Sequence, residues 1–583
     1  MNGTHCLSRW SAVLLALALA ACNGDDGAGG AVPGDVTPPT IVSTLPVDGA
    51  SGVARTTAVT VTFSEAVTPA AVGAATLSLN AETLPEALSV AGTVAINGSL
   101  VTFTPSAPSA PLALSTLFTA RVDVGLTDLS GNALAAPFTF NFTTEPAAWP
   151  GTRQLGTPAA DSGNAVATDG AGNVFVAGGT GGDFDGLGVG DPAVGGSDLV
   201  LLRFALDGTV QWRRQLGTPA DDEAFAVAVD GAGNSYVAGS TSGDLDGPAI
   251  GSDPLVGGTD FFLAKLGPSG NLLFTRQLGT LATDEARGVA VDGLGNIYVT
   301  GTTGQDLDGP AGAGQFVGLA DVFLAKVGPA GNLLFTRQLG TLSDDRAFGL
   351  AVDGVGNVYV AGTTAGDLDG PGIGSDPLVG GTDFFLAKFD PSGDLLFTRQ
   401  LGTLAADEAR GVAVDGVGSV YVTGTTGQDL DGPGGGDPFF GGSDVFLARF
   451  DSVGNLLFTR QLGTLADDRG FAVAVDGAGS TYVAGTTAGD LDGPGIGSDP
   501  LVGAADIFLA KFDPSGDLLF TRQRGTPAED AAFGVAVARL AVGGNVFVTG
   551  ETLGDLDGPG VGAPPFGGTD LFLDKFDPFG NLQ

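Results

Sequence analysis

Histidine and cysteine are nearly absent from this chain of 583 residues, in which the single histidine is His5 and the two cysteines are Cys6 and Cys22. Beyond residue 22 the chain therefore has no side chains for a His/Cys zinc site or a disulfide. It also has none for a Ser-His-Asp or Cys-His catalytic centre. These absences exclude the commonest classes of metalloenzyme and hydrolase.

Basic residues are also scarce, since 24 Lys and Arg stand against 65 Asp and Glu and give a formal net charge of −41. Because phosphate groups are bound by clustered cations, we expect no nucleic-acid partner, whereas metal cations or basic partners fit this charge. Hydrophobic residues make up 43% of the chain, so it is not a disordered polyanion. Its length is too great for one compact core and predicts several domains or a repeat array.

The first apolar run, from Ala12 to Ala21, is too short to span a bilayer about 30 Å thick as a helix, but it is typical of a signal peptide. It ends in the letters LAAC at Cys22, which resemble the lipobox of bacterial lipoproteins. The resemblance implies that residues 1–21 are a lipoprotein signal peptide and that Cys22 is lipidated. An ordinary signal peptide followed by a chance cysteine is the alternative.

Residues 22–36 are polar and glycine-rich, so they predict a flexible tether between the lipid anchor and the folded part. The membrane would then be a partner through Cys22, and we expect the protein in the bacterial cell envelope. Asn23 follows the cysteine, where Asp signals inner-membrane retention in some bacteria. This favours the outer membrane or the cell surface.

Residues 37–145 contain alternating apolar runs such as TAVTVTFSEAV, GSLVTFTPS and FTFNFTT, separated by turn signals. Short strands at this spacing predict a β-sandwich. The opening TPPTIVSTLPVDGASGV, the strand VTFSEAV and the ending LTDLSGNALAAPFTFNFTTE resemble the SbsA-type bacterial Ig-like domain. The resemblance implies a spacer or adhesion module.

From residue 149 onward the chain repeats with a period of 61 or 62 residues. The motif RQLGT or a close variant begins at Arg153, Arg214, Arg276, Arg337, Arg399, Arg460 and Arg522. Each unit has four strand-like runs, which in the unit beginning at Arg399 are RGVAVDG, VYVTGTT, DVFLARFD and NLLFTRQLG. We name them strands A to D. Four antiparallel strands per unit are typical of a β-propeller blade, and the small residues of strand A place it nearest the axis.

The last unit stops at FGNLQ, where a strand D would begin, and the missing part occurs at Trp149 to Thr157 as WPGTRQLGT. We therefore predict an all-β chain in which an Ig-like sandwich precedes a seven-bladed propeller at 149–583, closed by an N-terminal strand. The units resemble SBBP propeller repeats, a resemblance that gives no catalytic residue. The seventh unit departs from the pattern, since Arg524 replaces the usual leucine.

The stretch TTAGDLDGPGIGSDPLVG occurs twice, at 363–380 and at 486–503, which are 123 residues apart. This near-identity indicates recent duplication of a two-blade unit. The stretch contains the long loop between strands B and C, and chain geometry places that loop on the same propeller face as the loop between strands D and A. Long loops are where function concentrates, so this acidic face is the predicted ligand face.

Each B–C loop carries an Asp-x-Asp-Gly sequence, and aspartates at alternate positions followed by glycine could supply oxygen ligands to calcium. The candidate calcium ligands are Asp183, Asp185, Asp244, Asp246, Asp306, Asp308, Asp367, Asp369, Asp429, Asp431, Asp490, Asp492, Asp555 and Asp557. Turn capping by aspartate and glycine explains the same pattern without a metal, and both interpretations stay open.

A further aspartate precedes each strand C, and we expect it to bond to the neighbouring loop. These residues are Asp198, Asp260, Asp321, Asp383, Asp444, Asp506 and Asp570. The adjacent pairs Asp345/Arg346 and Asp468/Arg469 predict solvated or salt-bridged surface.

The sequence favours a non-catalytic, monomeric envelope lipoprotein that displays the propeller for binding or adhesion to a protein or glycan. One alternative is a carbohydrate-active enzyme, a glycosidase or lyase, that uses carboxylates of the acidic face. Another is a passive surface-layer component. An active site usually breaks the symmetry of a repeat protein, and the acidic loops are nearly uniform, so we predict no enzyme.

Overall fold

The computed structural model describes two compact units of the chain, Met1–Ala147 and Ala148–Gln583. The described residues are 35–53, 56–68, 77–81, 88–106, 112, 117–144, 151–184, 193–245, 254–307, 316–368, 377–430, 437–491, 500–538, 544–556 and 566–583. Every regular element in them is a β-strand, which confirms the predicted fold class. None of these residues belongs to a helix with the length and apolar character needed to cross a membrane.

The first unit is a two-sheet sandwich. Its strands are β1 (Ile41–Leu45), β2 (Ala50–Val53), β3 (Val59–Phe63), β4 (Leu77–Ala81), β5 (Leu88–Ser89), β6 (Gly92–Asn97), β7 (Leu100–Pro105), β8 (Leu117–Val122) and β9 (Phe138–Thr144). One sheet has the order β1-β3-β7-β6, and the other has the order β2-β9-β8-β4-β5. Strands β2 and β9 are parallel, and every other pairing in these two sheets is antiparallel.

The alternation of buried and half-buried residues along β3 shows why the sandwich forms. Val59, Val61 and Phe63 are buried, while the two threonines between them are only half-buried. Since successive side chains of a strand point to opposite faces, this pattern gives the sheet one apolar face. Phe103 and Phe140 from the two sheets belong to the same core.

The second unit contains seven four-stranded sheets in its described residues. The short strand β10 is Arg153–Leu155. Strands A are β11 (Asp161–Thr168), β15 (Asp222–Val229), β19 (Asp284–Val291), β23 (Asp345–Val352), β27 (Asp407–Val414), β31 (Asp468–Val475) and β35 (Asp530–Val537). Strands B are β12 (Val174–Thr180), β16 (Ser235–Thr241), β20 (Ile297–Thr303), β24 (Val358–Thr364), β28 (Val420–Thr426), β32 (Thr481–Thr487) and β36 (Val546–Thr552).

Strands C and D complete the sheets in the order A-B-C-D. Strands C are β13 (Asp198–Phe204), β17 (Asp260–Leu266), β21 (Asp321–Val327), β25 (Asp383–Phe389), β29 (Asp444–Phe450), β33 (Asp506–Phe512) and β37 (Asp570–Phe576). Strands D are β14 (Val210–Leu216), β18 (Leu272–Leu278), β22 (Leu333–Leu339), β26 (Leu395–Leu401), β30 (Leu456–Leu462) and β34 (Leu518–Arg524). We number the blades 1 to 7 by their strands A, from β11 to β35.

The blades form a closed ring with strand A innermost. Each strand A contacts the strands A of both neighbouring blades, and β35 of blade 7 contacts β11 of blade 1. Strands C are buried on both faces, because each blade packs between two others. The outermost strands D begin with exposed leucines, as Leu395 and Leu396 do in blade 4.

Strand β10 takes the place of strand D in blade 7. It pairs antiparallel with β37, with Arg153 opposite Leu573 and Leu155 opposite Leu571. The side chain of Gln154 accepts a hydrogen bond from the amide of Leu556 at 3.1 Å and donates one to Asp570 Oδ2 at 2.8 Å. A strand from before blade 1 therefore completes the last sheet and removes an exposed edge.

The repeated RQLGT motif is explained by blade contacts. In the copy that begins at Arg399, the guanidinium Nε donates to the carbonyl of Gly454 in the next blade at 2.8 Å. Gln400 Oε1 accepts from the amide of Leu368 at 3.2 Å and so holds the base of the acidic loop in its own blade. Thr403 Oγ1 donates to Asp407 of the next strand A at 2.8 Å. The motif therefore joins each blade to its neighbour and to its own B–C loop.

Glycine is required in this motif by a close approach. A Cβ on Gly402 would lie 2.1 Å from Oδ1 of Asp383. Since real Cβ atoms do not come so close to buried carboxylates, no larger residue fits at Gly402 without displacing Asp383.

Candidate functional site

Seven β-bulges surround the propeller axis. In every blade the pairing of strands A and B shifts register at the fourth residue of strand A. The residues skipped by the pairing are Asn164, Phe225, Arg287, Phe348, Arg410, Phe471 and Phe533, and we call them the bulge ring. All seven line one axial cavity of about 170 Å³. Bulges re-aim side chains and are common beside functional sites, so this ring is the candidate site.

Large side chains of the bulge ring stack on one another. The guanidinium of Arg287 lies 3.7 Å from the ring centroid of Phe225, and that of Arg410 lies 4.2 Å from the centroid of Phe348. The rings of Phe471 and Phe533 meet edge to face at 5.5 Å. Cation–π stacking holds each guanidinium over a neighbouring blade's ring, so the side chains are ordered before a ligand arrives.

Charged residues at the second position of strand A extend the candidate site from the bulge ring toward the acidic face. Arg287 Nη2 lies 2.7 Å from Glu285 Oε2, and Arg410 forms the equivalent ion pair with Glu408. Arg346 Nη2 lies 3.8 Å from Asp344 Oδ2. Arg469 pairs with Asp467 in the same way at 3.6 Å. The side chains of these pairs are about one-third or more exposed, so the ion pairs contribute little stability and stay accessible to a ligand.

Two cavities repeat the same set of side chains. The first, of about 370 Å³ between blades 3 and 4, includes Glu285, Arg287, Asp344, Arg346 and Phe348. The second, of about 500 Å³ between blades 5 and 6, includes Glu408, Arg410, Asp467, Arg469 and Phe471. Each residue of the second set lies 123 positions after its counterpart. We call these cavities the first and second twin pockets.

A third cavity, of about 460 Å³ between blades 6 and 7, is more acidic. It is lined by Glu529 and Glu551 as well as by Arg469, Phe471 and Phe533. Burial and the nearby carboxylates of Glu223 and Glu529 raise the pKa of Glu551. Glu551 breaks the symmetry of the repeat, because the equivalent residues of the other blades are glycine, serine or threonine.

The carboxylate of Glu223, which belongs to blade 2, is near enough to Glu551 to help raise its pKa. Its Oε1 accepts a hydrogen bond from Asn164 Nδ2 at 3.0 Å. Burial raises the pKa of Glu223, while the bond from Asn164 and the charge of Arg287 oppose that rise. Two carboxyl groups with raised pKa values near one axis are an arrangement found in acid–base chemistry.

The predicted calcium ligands are described in part. The structure describes the first aspartate of each Asp-x-Asp-Gly sequence, while Asp185, Asp246, Asp308, Asp369, Asp431, Asp492 and Asp557 lie outside the described residues, as does Cys22. The residue between the two aspartates is an anchor, since Phe184, Leu368 and Leu556 all pack into blade cores. This anchor fixes the base of each acidic loop.

The aspartates before strand C are buried and bonded to the neighbouring loop, as predicted. Asp383 Oδ2 accepts from the amide of Val379 at 3.0 Å and from Gln400 Nε2 at 3.1 Å. In all seven copies Oδ1 has no hydrogen-bond partner among the described residues, and a second buried aspartate begins the next strand A. Each blade junction thus contains two buried carboxyl groups.

Two of these aspartates differ from the others. Asp321 and Asp444 accept a loop amide, from Val317 at 2.9 Å and from Phe440 at 3.1 Å, but no glutamine among the described residues donates to them. Burial, opposed by that one hydrogen bond, raises the pKa of Asp321 to about 6 and that of Asp444 to about 6. The neighbouring carboxylates of Asp345 and Asp468 add to the rise.

Stability is expected to rise as the pH falls from 7.5 to 5. A carboxyl group whose pKa is higher in the folded state binds its proton more tightly there, so its contribution is lost as the pH rises through about 6. Each pKa unit corresponds to about 1.4 kcal/mol. The melting temperature should therefore be higher at pH 5, and Asp321→Asn with Asp444→Asn should reduce the difference. A wild-type melting temperature that is lower at pH 5 would contradict this.

The predicted surface pairs Asp345/Arg346 and Asp468/Arg469 are wrong. Asp345 and Asp468 are fully buried, and Thr341 Oγ1 donates to Asp345 Oδ2 at 2.9 Å. Arg346 instead pairs with Asp344. Because neighbouring residues of a strand point to opposite faces, Asp345 and Arg346 cannot pair across the same side.

The first unit contains a cluster of three carboxylates that was not predicted from the sequence. Asp35, Glu65 and Asp128 place carboxylate oxygens within 4.8 Å of one another, and among the described residues this is the one group of three or more possible metal ligands. Asp128 is buried and accepts hydrogen bonds from Ser130 and from Asn132 at 2.8 Å each. Those bonds explain its burial without a metal.

The bulge ring was not predicted from the sequence either, although a signal was present. Strand A reads DEARGVAV in blades 3 and 5, DRAFGLAV in blade 4 and DRGFAVAV in blade 6. Its second and fourth residues change from blade to blade while the flanking residues hardly change. Variation at fixed positions of an otherwise uniform repeat marks the residues that break its symmetry.

Fold and site define an all-β protein in which an Ig-like sandwich accompanies a β-propeller with ligand-sized cavities at its axis. Residues 35–144 match the family of the bacterial Ig-like domain. Six segments match the SBBP β-propeller repeat, at 151–185, 211–246, 273–308, 334–369, 396–431 and 457–492. The chain therefore contains a bacterial Ig-like domain followed by SBBP β-propeller repeats, which confirms these two resemblances found in the sequence.

Among known proteins, the chain is similar to the regulatory protein FlaEY of Caulobacter vibrioides. The two are 30% identical over 398 residues, which are 63% of this chain and 39% of that relative. A solved protein of unknown function from Dyadobacter fermentans is 14% identical, with 73% of this chain and 97% of that one covered and a TM-score of 0.36. A PL25 ulvan lyase is 11% identical, with 68% and 93% covered and a TM-score of 0.33. Such structural scores carry no argument about activity.

Proposed function

We propose that this chain is a non-catalytic binding protein of the bacterial cell envelope. Its ligand, a glycan or a protein, docks at the bulge ring and in the adjoining twin pockets on the acidic face. The proposal is carried by the seven bulges, which aim arginine and phenylalanine side chains into one axial mouth. Core packing does not require large residues there, because blade 1 closes the same ring with Asn164. The name of the Caulobacter relative fits this proposal, since regulation also acts through binding.

The arginines of the twin pockets supply the first test. Binding of the purified chain to arrays of glycans and of extracellular proteins should fall at least tenfold in the double variant Arg346→Ala, Arg469→Ala, because both pockets lose a guanidinium. Arg121→Ala in the first unit is the matched control, since Arg121 is similarly exposed and pairs with Asp123. Ligand binding that is equal in the double variant and in the control would contradict the proposal.

A carbohydrate-active enzyme is the second candidate, and the pair Glu223 and Glu551 favours it. Glycoside hydrolysis can be carried out by two carboxyl groups, one of them with a raised pKa. A screen for released sugar with the same glycans separates the two functions. Release that disappears in Glu551→Gln would establish the enzyme, whereas binding without release supports the binding protein.

Attachment to the envelope is proposed through lipidation of Cys22, for which the LAAC boundary is the support. Several acyl chains on one cysteine would hold the chain on a membrane stably, at about 0.8 kcal/mol per buried CH₂. A Cys22→Ala variant that remains in the membrane fraction like the wild type would contradict this attachment.

Calcium binding by the Asp-x-Asp-Gly loops is proposed from their sequence alone. Calcium at about 100 times Kd would add about 2.7 kcal/mol for each independent site. Calorimetry should therefore show a higher melting temperature in millimolar calcium than in magnesium at equal ionic strength, and a smaller shift in Asp367→Asn, Asp369→Asn. An equal response to both ions would mean charge screening alone.

A further inference from the structure

The twin pockets carry equivalent chemistry at two places on one face. Each combines two guanidinium groups, two carboxylates and one phenylalanine, and each also includes a threonine, Thr302 in the first pocket and Thr425 in the second. The two pockets are two blades apart in the ring. A ligand that fits one of them therefore has a second, matching place to bind.

Balanced charge selects the type of ligand. Each arginine lies beside a carboxylate, at 2.7 Å for Arg287 and Glu285 and at 3.8 Å for Arg346 and Asp344. An anionic ligand would have to displace these carboxylates in a chain of net charge −41, and a cationic ligand would meet two guanidinium groups. A neutral ligand meets neither obstacle.

The arrangement of donors and acceptors narrows the type further. Guanidinium groups only donate hydrogen bonds and carboxylates only accept them, so each ion pair offers both functions side by side. A sugar hydroxyl both donates and accepts, and neighbouring hydroxyls of a saccharide can use both members of a pair. Phe348 or Phe471 supplies an apolar surface for the carbon-bound hydrogens of the sugar ring.

The volume of each twin pocket is suitable for one or two sugar units. The twin pockets of about 370 and 500 Å³ lie within the range of small-molecule sites. The second is larger because Gly442 and Ala406 stand where the first has Leu319 and Thr283. Ser443 adds a hydroxyl to the second pocket, as Thr283 does to the first, so the second pocket offers more room and the same number of hydroxyl groups.

We infer that the twin pockets bind units of a neutral saccharide, so that the propeller holds a repeating glycan at two equivalent points. This inference rests on the proposed binding function and names its ligand. Once one unit is bound, the second binding event becomes intramolecular, and overall affinity rises without any new kind of contact. The third cavity, with Glu529 and Glu551, lacks the balanced charge and is not part of this pair.

The test uses the full chain and calorimetric titration. The probes are glucose, galactose, mannose, xylose and N-acetylglucosamine, homo-oligomers of each, and the acidic sugars glucuronate and galacturonate. At least one neutral monosaccharide should bind with two sites per chain. Arg346→Ala and Arg469→Ala should each leave one site, and the double variant should leave none.

An oligomer long enough to reach both pockets should bind one per chain, at least tenfold more tightly than its monosaccharide, and either single variant should remove that gain. Binding of the acidic sugars alone, or one site that only one variant affects, would overturn the inference while leaving the proposed function intact. Failure of every probe would also overturn it. The proposed function is contradicted by a separate result, namely that no ligand on the glycan and protein arrays needs these arginines for binding.

Discussion

Replacing Arg524 by leucine is expected to destabilise the propeller by about 3–5 kcal/mol, although leucine is the usual residue of the motif at that position. Arg524 Nη1 lies 2.7 Å from Oδ1 of Asp574, whose side chain is fully buried. Thr152 of the closing segment donates to the same carboxylate. Removing one partner of a buried ion pair leaves an uncompensated charge, which accounts for the size of the expected loss.

The matched control is the double variant Arg524→Leu, Asp574→Ala. Leucine and alanine are the residues that blades 2 to 5 have at these positions, for example Leu401 and Ala387 in blade 4. The double variant should therefore lie close to the wild type in denaturant unfolding, and the two substitutions should be strongly non-additive. A double variant as unstable as Arg524→Leu alone would show that the pair is not responsible.

Deleting residues 151–157 is expected to cost more than about 3 kcal/mol and to make the protein self-associate. The deletion removes β10 and leaves the amide of Leu556 and the carboxylates of Asp570 and Asp574 without the partners that Gln154 and Thr152 provide. Each buried polar group that loses its partner costs about 1–3 kcal/mol. The freed edge of β37 also becomes a template for pairing with another chain.

Calorimetry and light scattering after gel filtration would measure both effects. A deletion of equal length, residues 23–29 in the predicted tether, controls for shortening of the chain. If the variant lacking 151–157 melts at the wild-type temperature and stays monomeric, ring closure by β10 does not stabilise the fold.

The sequence was sufficient to predict the propeller because the same local patterns occur in every repeat unit. Period, strand content and the small residues of strand A all depend on local patterns that occur in every unit. The closing strand could be predicted because RQLGT is present at Arg153 without a preceding blade, and the structure pairs that segment with β37.

The bulge ring could not be found in the same way. A bulge inserts one extra residue into a strand and so shifts the alternation of its side chains between the two faces of the sheet. The sequence of a single strand gives no signal of this shift. The sequence pattern therefore did not single out Arg287 and Arg410 as members of a site. Burial of Asp345 was missed for a related reason, because a strand pattern does not show its bonding partners, Thr341 in the preceding loop and Thr364 in strand B.

The closing strand also determines how the propeller responds to mechanical force. Any pull on the chain before residue 151 reaches β10 first, because β10 is the first strand of the second unit. Its three residues pair side by side with β37, so force along the strand loads all of these pairs together. Once β10 detaches, the ring is open at blade 7, and unfolding under load should begin there. The rate of that detachment, not the equilibrium stability of the blades, then sets the lifetime of the propeller under tension.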